Sequence, residues 1–435
     1  GHPDADGNTN ALFITFTLTG TFGLTETALG RRVRLDVGGD VSPLFAPDYQ
    51  GFFGTDANLL ADALLSVDGR IDVSELELRA RRVNLKGAIQ IGPQGWPELI
   101  DLNGGITGAD GQPVLLPLSG PRTFLDGADL AITYDGATSD DWRADITVAG
   151  LTRPGLSVDQ LTLQGGGILR PGEGDLIGQI TAALRYGATG LQLDDAGASR
   201  AFGSEIGGVF EAQRTEGTSA EITRFTLEGA GVNASAQATI GGPKTGFKTD
   251  ATAILSVAGL GRFSTLAGRD LGGAAEFALL AQATPLDGLF DLILTGTTTD
   301  LSIGIAQADA VLAGAGTISA NAVRDTEGTR LEALRIATPA AVITANADLT
   351  SGGSNARFDA QLNDLAIVVP DITGPATAEG AVTLSAEGIA DFQITGTGPA
   401  ATFQTKGLMI PAEEGQIINA TTTADITDLT VYARA

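Results

Sequence analysis

The chain has 435 residues, among them 60 glycines, no cysteine and a single histidine, and its 26 basic against 52 acidic side chains give a formal net charge of −26. That charge excludes attachment to a nucleic-acid backbone, which needs clustered Lys and Arg, and it disfavours polybasic binding to anionic membrane surfaces. Without cysteine there is no disulfide frame, thiolate ligand or thiol nucleophile, and with His2 as the sole histidine neither a Ser-His-Asp triad nor a histidine-built zinc site is available.

An apolar share of 43% with only 5% aromatic residues describes a chain rich in turns and poor in bulky core fillers. Many short strands joined by tight turns account for this composition, so the expected class is all-β.

In chain order, residues 1–10 are expected to be a disordered or cloning-derived start, and 11–435 one continuous elongated β-structure. "ALFITFTLTG" (Ala11 to Gly20) falls short of the roughly 18 apolar residues that cross a bilayer. Its alternating threonines are a strand pattern. Between Pro43 and Gly69 the spacing turns helical: Asp56 is placed to cap a short helix carrying Leu59, Leu60, Ala63 and Leu64, and Asp68-Gly69 is its stop. A helical insertion is therefore expected near 43–68. From Ile71, "IDVSELELRARRVNLKGAIQIG" reads strand, charged turn, strand. Leu76 and Leu78 share a face, and Val83, Leu85, Ile89 and Ile91 fall on one parity while Asn84, Lys86, Ala88 and Gln90 fall on the other.

Further strands follow in "ADLAITYDG", "WRADITVAGL" and "LSVDQLTLQGGGIL". The hairpin design then returns in "AEITRFTLEGAGVNASAQATIG", where Val232 stands 149 residues after Val83, with Phe225, Leu227 and Ile240 in the equivalent places. "GRFSTLAGRDLGG" (Gly261 to Gly273) is expected to hold one or two helical turns, and "LFDLILTGTTTDLSIGI" and "VLAGAGTISANAV" are again strands. A third copy, "LEALRIATPAAVITANADLTSG", lies at an offset of 258 from the first, with Leu334, Ile336, Ile343 and Leu349 in the matching positions. Long, unequal offsets rule out one short solenoid rung and leave hairpins of one design in a sheet without fixed spacing.

Little in the sequence does chemistry. "PDADGN" offers Asp4, Asp6 and Asn8 like the start of a calcium loop, but Thr9 and Thr15 stand where the glycine and the bidentate glutamate belong. The doublets Asp140-Asp141, Asp194-Asp195 and Glu413-Glu414 point to opposite faces if they lie in strands, so turn chemistry is the better reading than paired catalytic carboxylates. "QGGGILRPGEG" lacks the Lys-Ser/Thr ending of a phosphate loop. No catalytic residue, cofactor or metal site is expected.

The segment from "LFDLILTGTTTDLSIGI" to "VITANADLTSG", together with "PLFAPDYQGFFG" and "GRFSTLAGRDLGG", resembles the periplasmic repeat region of TamB-like translocation and assembly module proteins of Gram-negative bacteria, within the AsmA-like group. The resemblance covers most of residues 11 to 400 and lies in the order of degenerate strand patterns. It implies an elongated, mostly antiparallel sheet curled into an open U-shaped, taco-like groove with a few short helices, apolar inside and polar outside. It implies further a periplasmic bridge-like scaffold for phospholipid acyl chains, linked to outer-membrane biogenesis and protein assembly. An inner-membrane anchor and a C-terminal domain that meets an Omp85-class, TamA-like outer-membrane barrel belong to the family pattern and are expected outside this sequence. The piece itself is expected to be monomeric.

On this reading Leu76, Leu78, Val83, Leu85, Ile89, Ile91, Phe225, Leu227, Val232, Ile240, Leu334, Ile336, Ile343 and Leu349 line the groove. Bare apolar surface forgoes about 25 cal/mol per Å² of burial, and acyl chains cover it without directional contacts. The competing reading makes the same residues ordinary core between two layers, in a solid β-solenoid or passenger-type adhesion protein. A β-helical carbohydrate enzyme would need converging carboxylates, which the sequence does not supply.

Overall fold

The structure is a computed structural model and describes residues 18–108, 111–172, 178–215, 217–350, 352–411 and 416–432. The expected start at 1–10, the "PDADGN" stretch and the Glu413-Glu414 doublet lie outside the described residues. Strands take 64% of the chain and helices 10%, so the all-β expectation holds. The 27 described strands make an antiparallel sheet that is not closed into a barrel. No described helix is long and apolar enough to cross a membrane.

Contacts divide the chain, expected as one continuous body, into two compact units, Gly1–Asp195 with Gly203–Thr218, and Ala196–Phe202 with Ser219–Ala435. The first holds β1 (Leu18–Thr27), β2 (Gly30–Gly39), α1 (Pro47–Phe53), β3 (Ala57–Ser66), β4 (Ile71–Arg79), β5 (Val83–Ile91) and β6 (Pro97–Thr107). A small hairpin, β7 (Val114–Leu115) and β8 (Phe124–Leu125), precedes β9 (Gly127–Asp135), β10 (Asp141–Arg153), β11 (Leu156–Arg170), β12 (Gln179–Thr189), β13 (Gln192–Leu193) and β14 (Glu205–Arg214). The second holds α2 (Ala196–Phe202), β15 (Ala220–Gly229), β16 (Val232–Ile240), β17 (Thr249–Val257), α3 (Ser264–Ala267), β18 (Gly272–Thr284), β19 (Leu289–Ser302) and α4 (Ala306–Leu312). It continues through β20 (Ala315–Arg324), β21 (Thr329–Ala337), β22 (Ala341–Thr350), β23 (Gly353–Leu362), β24 (Ala376–Ser385), β25 (Ala390–Gly398), β26 (Ala401–Pro411) and β27 (Gln416–Ile426).

The connections are sorted by strand end. In the first unit α1 and the β7–β8 hairpin both sit at the end where Gly39 faces Ala57 and Val83 faces Ile106. In the second, α3, α4 and the 3-10 turn Leu365–Ile367 share one end, and turns such as 285–288 and 386–389 occupy the other. Tyr134 and Ala390, beside the opposite turns, are exceptions, but most packed residues follow the helical end. Phe52, Val114 and Leu125 are buried there with Val83, Ile106, Ala128 and Val148 against them, and Val232, Val257, Ala275 and Thr298 form a buried row of opposed residues in the second unit.

Two local expectations change. The helix assigned from Asp56 onward is a strand, β3, and the actual helix, α1, lies upstream and stops at Gly54, whose φ of 70° suits glycine. "ANLLADALLS" has helical spacing, but it is paired along its length with β2 and β4, and the carboxylate of Asp62 is taken by Arg32 and Arg34 across the ladder. Tertiary pairing overrides local propensity here. The helical turns near 261–273 are present as a 3-10 turn, Leu260–Phe263, running into α3. Helices α2 and α4 were not foreseen; α4 opens after Ile305 with no side-chain cap, so no N-terminal signal marks it.

The three repeats extend beyond hairpins. Each is a seven-residue helix followed by three strands: α1-β3-β4-β5, α2-β14-β15-β16 and α4-β20-β21-β22. In every copy the middle strand carries a β-bulge at the same repeat position, between Val73 and Leu76, Ile222 and Phe225, and Leu331 and Leu334. One residue, Ser74, Thr223 or Glu332, is extra relative to the partner strand, which bends and twists the ladder locally.

Candidate functional site

Directly opposed residues in an antiparallel ladder share a face, so register shows what each face carries. Across the first unit one row runs Phe22, Leu35, Ala61, Leu76, Gly87, Leu102, Ile132, Ala144, Gly165, Leu184, Phe210. The row beside it runs Thr21, Asp36, Leu60, Glu77, Lys86, Asn103, Ala131, Asp145, Gln164, Arg185, Val209. Only the first is apolar throughout. The second unit repeats this with Phe225, Ala236, Ala253, Leu279, Leu294, Ala320, Leu334, Ala345, Phe358, Gly380 and Ile394. Each unit therefore has one apolar and one mainly polar face.

Register places all fourteen proposed lining residues on these apolar faces. Leu76 and Leu78 of β4 stand opposite Gly87 and Leu85, and Val83, Ile89 and Ile91 share that parity on β5. Phe225 and Leu227 face Ala236 and Ala234, with Val232 and Ile240 on the same side of β16. Leu334 and Ile336 face Ala345 and Ile343, and Leu349 faces Thr329. They differ in cover: Val232, at the helical end, is 6% exposed and is core, whereas Leu349, at the turn end, is 52% exposed.

Among the described residues no second β-layer covers these faces, and no large side chain is fully buried. The accessible surface of the chain is 25607 Å². Two separate compact bodies of half this mass would together expose roughly 19,000 Å². A single-layered sheet in each unit contributes to the difference. Leu24 and Phe22, on β1, are 58% and 66% exposed.

Aromatic rings laid across glycines flatten the apolar faces, a feature sequence parity does not reveal. Phe277 lies over Gly296, Phe358 over Gly380, Phe403 over Gly396 and Phe392 over Gly407, each pair directly opposed in register. In the first unit Trp142 faces Gly167 and its Nε1 donates to the Thr181 carbonyl at 2.9 Å. A glycine opposite the ring leaves room for it to lie along the sheet.

The polar faces are held by charge. Arg32 and Arg34 both donate to Asp62, Arg32 at 2.6 Å through two nitrogens and Arg34 at 2.8 Å. These bonds, those from Arg32 first, hold the Asp62 carboxyl down to about 2. Shallow recesses of about 670 and 590 Å³ lie on the polar side of the second unit, beside the bulges of β15 and β21. Their linings mix charge with apolar groups: Glu221, Gln237 and Asp250 stand beside Ile222, Leu280 and Ile293 in one, and Arg335, Arg357 and Glu379 mark the other.

No protein-family model, curated protein or solved structure matches this chain. Function has to be read from the two faces. Among the described residues no three acidic or histidine side chains gather as a metal site. The described carboxylate doublets sit at bends or a strand start: Asp140 takes Arg170 Nε at 2.8 Å, Asp141, which opens β10, takes Ser139 Oγ at 2.7 Å and Asp194 takes the Gly155 amide at 3.0 Å.

Proposed function

We propose that this chain is a scaffold that shields phospholipid acyl chains on its apolar faces, within a periplasmic bridge between inner and outer membranes of the TamB-like kind that its sequence resembles. The observation that carries the proposal is the apolar row that crosses strand after strand in each unit with no second layer above it. Acyl chains supply the missing cover at about 0.8 kcal/mol per buried methylene, and their contacts need no fixed geometry. Weak, repeated contacts let a chain slide, while a headgroup stays in water, so an acidic protein can carry phospholipid. A role in outer-membrane protein assembly, through an Omp85-class barrel met outside this sequence, belongs to the same proposal. The rival, a solid adhesion solenoid, needs a filled interior, and the absence of fully buried large side chains among the described residues weighs against it.

The test is native mass spectrometry of gently purified protein after incubation with phospholipid. Retained phospholipid is expected, with Leu85→Glu and Ile343→Glu each reducing it while far-UV circular dichroism stays native; Lys86→Glu, on the polar face, leaves it unchanged. Failure of the unaltered protein to hold any phospholipid overturns the proposal.

A further inference from the structure

Three aliphatic side chains stand on the mainly polar face of the second unit. Leu280 and Ile293 are directly opposed on β18 and β19, and Ile254 of β17 lies diagonally beside Leu280, because Thr252 faces Leu280 and Ile254 faces Ala278. Leu280, Ile293 and Ile254 are 54%, 43% and 50% exposed. The row through Leu280 and Ile293 is otherwise polar, with Gln237 and Thr252 on one side and Asn321 on the other. The three support no core, since the packed row of Val232, Val257, Ala275 and Thr298 has the parity of the opposite face.

The next row on that face is acidic. Asp250, Gln282 and Asp291 oppose one another across β17, β18 and β19, and with Leu280 and Ile293 they line the recess of about 670 Å³. Among the described residues neither Asp250 nor Asp291 enters an ion pair or a side-chain hydrogen bond, and no lysine or arginine lines the recess. Bases nearby leave the balance negative: Lys248, exposed two residues before Asp250, is one charge against two, and Arg330, two strands beyond Asp291, is held by Asp325 at 2.7 Å. Glu221, a third carboxylate of the lining, is engaged by neighbours of its own, as is Arg224 on the same strand. With one strand between them, Asp250 and Asp291 stand about 9.6 Å apart at a strand spacing of about 4.8 Å. That is too far for both to hold one metal ion, whose oxygen ligands lie at about 2–2.6 Å. A bare polyamine would leave the aliphatic side chains uncovered. An α-helix rises about 10.5 Å in seven residues, so lysines at i and i+7 match the two carboxylates, and leucines at i+3 and i+4 on the same face reach Leu280 and Ile293. We infer that this surface docks a basic amphipathic helix of another protein, laid across β17, β18 and β19. Charge complementarity sets the sign of the occupant, and the exposed aliphatic pair sets its amphipathic character. The surface lies on the face opposite the acyl-chain rows, so the inference goes beyond that reading and does not depend on it.

The probe is a fluorescein-labelled synthetic helix of about 15 residues, about 22 Å long, with lysine at every seventh position, leucine three and four residues after each, and alanine and glutamine elsewhere. Fluorescence anisotropy is read at about 0.15 M ionic strength, where carboxylates more than about 8 Å away are screened. Saturable binding is expected, weakened at least about tenfold in D250N/D291N and likewise in L280T/I293T. All four side chains are exposed, so far-UV spectra and melting midpoints of both variants should stay those of the unaltered protein. D250N/D291N should also retain as much phospholipid as the unaltered protein, because its changes lie on the other face. Absence of saturable peptide binding overturns the inference. So does undiminished binding by either folded double variant, or equal binding of a control peptide with glutamine in place of every lysine.

Discussion

Phe358 and Gly380 show how single residues shape the apolar face. A side chain at position 380 would collide with the ring, as it would at 296 beneath Phe277, so the glycine serves the aromatic opposite it. Gly380→Ala is expected to cost about 1–3 kcal/mol through overpacking. Thermal unfolding should show a lowered midpoint, partly recovered by Phe358→Leu in the same chain, and an unchanged midpoint would contradict the pairing. Much at this scale was legible beforehand. Strict alternation put Leu76, Leu85 and Ile343 on the apolar face, because with a two-residue period a one-residue slip would turn every side chain over. The Phe–Gly pairs were not, since each joins residues from different strands and only register reveals them.

Elements were legible in proportion to how local their causes are. Tight hairpins such as β4–β5 and β15–β16 come from alternation and turn residues, both short-range. Ala57–Ser66 misled because its helical spacing is local while the partners that make it a strand, β2 and β4, are not. The bulges leave a faint mark in sequence, a three-residue step between apolar residues at 73 and 76, 222 and 225, and 331 and 334. This step yields a contrast. Deleting Glu332 restores plain alternation and keeps Leu331 and Leu334 on one side, so the variant should fold with a native far-UV spectrum. Deleting Thr344 from the regular strand β22 turns half of it over, sends Asn346 to the apolar side, and should abolish cooperative unfolding. Equal behaviour of the two deletions would show that register is not set by the apolar parity.

For the whole chain, the charge of −26 and the uncovered apolar area have opposite effects on association. Mutual repulsion keeps copies apart at low salt, where the screening length is about 30 Å at 0.01 M, and loses its reach near 1 M, where it is about 3 Å. Sedimentation velocity should accordingly report a monomer at low ionic strength and growing self-association as salt rises; a monomer at every salt concentration would mean that the apolar faces are better covered than their exposure indicates. Grouping helices and packed residues at one strand end within a unit has a further result. Such a unit is stapled along a spine and left loose along a fringe. A hydrophobic guest reaches the sheet from that side without displacing an α-helix, whereas the turns 136–139 and 386–389, beside the buried Tyr134 and Ala390, tolerate little insertion.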